Sequence, residues 1–129
     1  MPSFRVLVVD DHEAVRKGVC AILSSHAELE VCGEASNGTE AVAKTSALRP
    51  ELVVMDISMP GMDGLSAARE ILKLHPDTRI IILSMHDSKQ LIEGARKVGV
   101  RGYVTKGQAG SALLDAIDAI VHEHDFFPC

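Results

Sequence analysis

The sequence predicts a single α/β domain, a three-layer sandwich with a five-stranded parallel sheet between two helical layers. Three observations carry that expectation. Apolar runs rich in Val and Ile recur at residues 6–9, 52–55 and 80–83, nearly continuous, as strands covered on both faces are. Stripes of apolar residues at helical spacing alternate with those runs. A length of 129 residues with 47% hydrophobic content fits one domain with a substantial core.

Taken in order, the first strand (6–9) precedes a helix whose face carries Val15, Val19, Ile22 and Leu23. Residues 30–35 alternate in polarity and read as an edge strand. The capping box Asn37-Gly38-Thr39-Glu40 opens a helix at about 39–48. After the third strand, a helix at about 65–74 stops before Pro76. The fourth strand leads to a second capping box, Asp87-Ser88-Lys89-Gln90, and a helix carrying Leu91, Ile92, Ala95 and Val98, closed by Gly99. Residues 102–105 form the other edge, and Leu113, Leu114, Ile117, Ile120 and Val121 mark the last helix. The tail from His122 reads as a helix end running into a linker. Right-handed crossovers and the two edge readings give strand order 2-1-3-4-5.

Composition excludes several classes. A net charge of −5, one Tyr and no Trp leave neither a basic surface nor a stacking platform for nucleic acid. No apolar run approaches membrane-spanning length, and the start Met-Pro-Ser-Phe-Arg does not read as a signal peptide. Cys20, Cys32 and Cys129 lack metal-ligand spacing and read as thiols of a reducing cytoplasm, the first two buried.

The chemistry sits at strand ends. Asp10 and Asp11 follow Val-Leu-Val-Val, Asp56 follows Leu-Val-Val-Met, and Lys106 follows Tyr-Val-Thr. In an open parallel sheet, ligands bind beyond the carboxyl ends of the strands, at the switch point between strands one and three. Clustered carboxylates raise one another's pKa unless a cation compensates; a hard divalent ion, Mg²⁺ above all, suits oxygen ligands. Lys106 suits a phosphoryl oxygen. Ser84 adds a hydroxyl at the end of strand four, and the loop from Ser58 to Gly64 adds backbone groups.

These motifs together (Asp-Asp after strand one, D-x-x-M-P-x-M-D-G after strand three, Ser84, and Y-x-x-K around strand five) resemble the receiver domain of bacterial two-component response regulators. The phrases L-S-M-H-D and G-Y-V-T-K-G further resemble its NarL/FixJ subfamily. The resemblance implies a flavodoxin-like, CheY-like fold, with residues 1–124 as the receiver and 125–129 as the start of a linker or tail. It implies that Asp56 accepts a phosphoryl group from a sensor histidine kinase. Asp11, Asp56 and the backbone carbonyl of Ser58 bind Mg²⁺, with Asp10 acting through water. Lys106 pairs with the phosphoryl group, Ser84 moves toward it, and Tyr103 changes rotamer. The readout surface is helix four, strand five and helix five. A homodimer on phosphorylation is a further expectation, and DNA is reached only through a C-terminal domain outside this chain.

Gly107 stands where many receivers have proline, so a cis bond after Lys106 is disfavoured. Ser58 and His86 flank the pocket as positions that tune phosphoryl lifetime. Competing readings are a Mg²⁺-dependent phosphohydrolase with an aspartyl-phosphate intermediate, a nucleotide- or flavin-binding module, and an unphosphorylated scaffold. The second lacks a glycine-rich phosphate cradle. His12 reads as a solvent-facing first-turn residue, and the spacing of His122, His124 and Cys129 fits no closed zinc site.

Overall fold

β-Branched runs and amphipathic stripes alternate along the chain; each run has become a parallel strand and each stripe a helix packed on the sheet, α1 to α4 as crossovers and the last after the final strand. The computed structural model describes residues 4–59 and 61–128. Its elements are β1 (Phe4–Val9), α1 (Glu13–Ser24), β2 (Leu29–Ala35), α2 (Gly38–Leu48), β3 (Leu52–Asp56), α3 (Gly64–Leu74), β4 (Arg79–Ser84), α4 (Lys89–Val98), β5 (Gly102–Thr105) and α5 (Ala109–Val121). A 3₁₀ turn, Lys106–Gln108, joins β5 to α5. The sheet is parallel in the order β2-β1-β3-β4-β5.

Successive strand residues point to opposite faces, which divides the core in two. Val6, Val8, Leu52, Val54, Ile81, Leu83 and Val104 pack with Val19 and Leu23 of α1 and Leu113, Ala116, Ile117 and Ile120 of α5. Leu7, Val9, Val53, Met55, Ile80, Ile82 and Tyr103 pack beneath α2, α3 and α4. Apolar residues on both faces keep β1, β3 and β4 central. On β2 a register shift opposite Val6 and Leu7 interrupts the expected alternation. Cys32, at that irregularity, and Cys20 on α1 are both half-buried rather than buried, and partial burial still pushes both thiols up.

Helix starts and stops follow local chemistry. Asn37 caps α2 by accepting from the Glu40 amide at 2.8 Å, but the Glu40 carboxylate reaches the Ser36 amide rather than the cap's own N–H. Asp63 caps α3 through the Ser66 amide. The second predicted box is shifted by one residue: Ser88, not Asp87, caps α4, accepting from Leu91. Gly99 ends α4 at φ 108°, a conformation glycine adopts without steric cost.

The tail does more than leave the last helix. Beyond Val121 the chain turns back, and Phe126 pairs with Gly102 on the outer edge of β5. The Tyr103 amide donates to the Phe126 carbonyl (2.8 Å), and the Phe126 amide to that of Arg101 (3.0 Å). Arg101 pairs with Asp125 and Arg79 with Glu123, each at 2.7 Å. Phe126 packs on the α1/α5 side of the sheet and Phe127 on the α2–α4 side, where the Arg96 guanidinium lies 4.1 Å from its ring centre. Residues read as a linker thus cover the β5 edge, because two aromatics and two acids there meet complementary partners. Cys129 and Pro60 lie outside the described residues.

Candidate functional site

Register brings the site together. Val9 lies beside Met55, so Asp10 and Asp56, next along, emerge abreast at the carboxyl ends of β1 and β3. Asp56 pairs with Leu83 and Ser84 with Thr105, which sets Lys106 one residue past β5. Ligand oxygens of Asp10, Asp11 and Asp56, with a ring nitrogen of His12, lie within 4.8 Å of one another.

Lys106 Nζ bridges two of these carboxylates, 2.9 Å from Asp10 Oδ2 and 3.3 Å from Asp56 Oδ2. Both acids are almost fully buried. Burial pushes the Asp56 carboxyl up and Lys106 opposes it, while the neighbouring Asp10 charge adds to the rise. Burial lowers Lys106, but its close pairing with Asp10 and the Asp56 charge outweigh that, leaving the ammonium above its ordinary value. The lysine is thus held charged against two carboxylates that cannot both be neutralised by it.

Backbone donors complete the cradle. The His12 amide donates to Asp10 Oδ1 at 2.8 Å, and the Ser58 amide to Asp56 Oδ1 at 3.3 Å. Asp11 does not cap α1; His12 occupies that position, and no side chain caps the helix. The His12 side chain is mostly exposed, as expected, yet its Nδ1 stands 3.1 Å from Asp11 Oδ1. The Lys106 contact at Asp10 Oδ2 is ionic without hydrogen-bond alignment. That oxygen and Asp11 Oδ1 are both buried without a hydrogen-bond partner. Buried acceptors of this kind are costly unless something satisfies them. An oxygen-liganded divalent cation fits this donor set.

Ser84 and Tyr103 sit on the neighbouring strands. Both are completely buried. Ser84 Oγ accepts from the His86 amide (3.0 Å), while the Tyr103 hydroxyl donates to the His86 carbonyl (2.6 Å). The two side chains thus hold one peptide segment of the β4–α4 turn from both sides. Burial raises the Tyr103 hydroxyl, with Ser84 opposing. Sequence reading placed His86 here for its side chain; its backbone makes these contacts.

Gly64, in sequence one glycine of a loop motif, shapes the site. A Cβ at this position would lie 2.2 Å from the Asp56 carbonyl oxygen and 2.7 Å from Ile57 Cα. Only glycine lets α3 start against the strand end that carries Asp56. No described peptide bond is cis, so the chain passes Lys106–Gly107 in trans. His122 Nδ1 lies 2.8 Å from the Asp118 carbonyl, away from the pocket. Among the described residues, the strand-end group is the one cluster with metal-ligand character.

A five-stranded parallel sheet in the order 2-1-3-4-5, with three acids and a lysine at its carboxyl end, is the architecture of a CheY-like domain. The profile of the response regulator receiver domain matches residues 6–118, and the chain belongs to that family. The response regulator GacA of Pseudomonas viridiflava is 38% identical over 113 residues, which are 88% of this chain and 53% of GacA. The transcriptional regulatory protein DegU of Brevibacillus brevis is 32% identical over 118 residues, 92% of this chain and 50% of DegU. The solved LuxR-family two-component response regulator of Aurantimonas sp. SI85-9A1 superposes with a TM-score of 0.93 at 33% identity, covering 96% of this chain and 89% of that one. These relatives set the chain among NarL/FixJ-like receivers. It spans about half the length of the curated relatives named here.

Proposed function

We propose that Asp56 is the phosphoacceptor of a two-component relay. The observation that carries this reading is the Asp56 carboxylate, buried at a strand end 3.3 Å from a charged lysine and beside two further acids. An Asp56 oxygen attacks the phosphohistidine of a sensor histidine kinase. A P–O bond forms as the P–N bond breaks, and the imidazole leaves. Asp11, Asp56 and the Ser58 carbonyl would hold Mg²⁺, with Asp10 acting through a water. The bound ion offsets the negative charge that would repel an anionic donor. Lys106 receives the transferred group by charge, so the chemistry is positioning and neutralisation. The domain is then a substrate of its kinase and a switch, not a turnover enzyme.

Ser84 responds by hydrogen-bonding a phosphoryl oxygen. The β4–α4 turn follows, because Ser84 and Tyr103 share His86, and the change passes to α4, β5 and α5. Only contacts stronger in one state shift the balance. DegU is a transcriptional regulatory protein, which supports a transcriptional output through a C-terminal DNA-binding domain joined beyond the segment that covers β5. A groove of about 440 Å³ bordered by Phe4, Leu29, Leu114, Ile117 and the exposed Val121 supports a homodimer contact on α5. No described helix is long and apolar enough to cross a membrane, in keeping with a cytoplasmic protein.

Intact-mass analysis after incubation with acetyl phosphate and Mg²⁺ tests the assignment. One phosphoryl adduct is expected, absent in Asp56→Asn. No adduct in the native chain, or an undiminished one in the variant, refutes it. Catalytic turnover of a phosphate monoester would favour the phosphohydrolase reading instead.

A further inference from the structure

Asp10 is held at four points. Its amide donates to the Ala35 carbonyl of β2 at 3.0 Å, and its Oδ1 accepts from the His12 amide. Its Oδ2 faces Lys106 at 2.9 Å. The fourth point is Arg16, whose Nη1 donates to the Asp10 carbonyl at 3.0 Å. Three of these contacts come from the chain neighbours, the sheet or the pocket itself. Arg16 comes from α1 and is not part of the pocket.

Its geometry is specific. Arg16 is only 15% exposed, and while one nitrogen binds the Asp10 carbonyl, its Nε donates to Glu34 Oε1 at 2.9 Å. Glu34 lies on β2, one residue before Ala35. The guanidinium therefore ties together α1, the end of β1 and the end of β2. Lys17 and Arg16 hold the Glu34 carboxyl below its usual range, so the fork faces a charged partner. Lys17 Nζ reaches the other Glu34 oxygen at 3.0 Å, but it is 60% exposed and forms no ion pair with Asp10. A planar fork that bonds in two directions is not replaced by a lysine point charge.

We propose that Arg16 is a positioning residue for the acidic pocket. It fixes the Asp10 peptide, and through it the carboxylate that orients Lys106 and faces the metal. The inference rests on the Mg²⁺-binding phosphoacceptor reading above. Partners one shell removed from a metal orient the groups that touch it, and their loss typically costs about 10–100-fold in affinity. Asp10 acts through a water, so the low end is expected.

The test compares Arg16→Lys, Arg16→Gln and Lys17→Ala in the full chain. Mg²⁺ affinity is read from titrated amide shifts, labelling by acetyl phosphate from intact mass, and unfolding by urea. Both Arg16 variants should lose about tenfold in Mg²⁺ affinity and label correspondingly slowly. Lys17→Ala, which touches the same glutamate, should keep both. The Lys106 side-chain resonance should shift in the Arg16 variants and stay in place in Lys17→Ala, a response that a general loss of stability does not produce. Equal losses in Lys17→Ala, or unchanged affinity in folded Arg16→Lys, overturn the proposal. If Arg16→Gln fails to fold, Arg16→Lys decides. A native chain that binds no Mg²⁺ overturns the underlying reading instead, and the Lys106 resonance then tests Arg16 by itself.

Discussion

The carboxyl end of β1 and β3 and the outer edge of β5 both gather charged residues, but they arrange them in opposite ways. At the strand ends, like charges are buried together and two carboxylates compete for one ammonium. Where the tail returns to that edge, Arg101 just before β5 and Arg79 at the start of β4 each find one of its acids at 2.7 Å, partly in solvent. The first arrangement keeps electrostatic need unsatisfied, a surplus of negative charge that an incoming cation can meet. The second leaves no such need and serves to hold a segment in place. Charge count alone does not separate a working site from a fastening; burial and pairing do.

The contrast is most exposed to Lys106→Ala. Removing the cation from two buried acids should cost about 3 kcal/mol in urea unfolding at neutral pH, and added Mg²⁺ should return part of that. A loss no larger than that of Arg101→Ala would erase the distinction.

Asp56→Asn tests the same point with opposite sign. The Asp56 carboxyl is raised in the fold, so above its folded value the native state carries a charge that the unfolded chain holds more easily. The variant should therefore be more stable at neutral pH. That gain should fade as the pH falls through the folded value and vanish below the ordinary carboxylate range, where both states are protonated. Urea titrations across that window check it, and a gain that grows on acidification would contradict the cause given.

The smallest effect belongs to the edge. Arg101→Ala and Asp125→Asn should each change stability by about 0.5 kcal/mol or less, and high salt should shrink the difference. A loss several times larger would mean that the edge pairs behave like the buried site.

Much of this arrangement was legible in the sequence. Asp10, Asp56 and Lys106 each close a short apolar run, so strand order alone made them neighbours. The central strands were legible because both of their faces are apolar. Other features depend on how distant segments pass one another. The contact of Gly64 with the Asp56 backbone requires the path of the β3–α3 loop. Arg16 looks like any polar helix residue until β2 brings Glu34 beside it. The cap of α4 fell one residue late because Asp87 and Ser88 are both good caps. Phe126 and Phe127, two apolar residues after a polar run, carry no periodicity to announce that they straddle a strand.

That straddling has a consequence for how the domain behaves among its own copies. An open strand edge offers unpaired amides and carbonyls to any passing chain. Here the Tyr103 amide and the Arg101 carbonyl are already engaged by Phe126, and charged residues flank the pairing. A version ending at Val121 would leave that edge bare beside a strand with apolar side chains on both faces. It should aggregate on concentration while the acidic pocket, at the other end of the strands, stays intact.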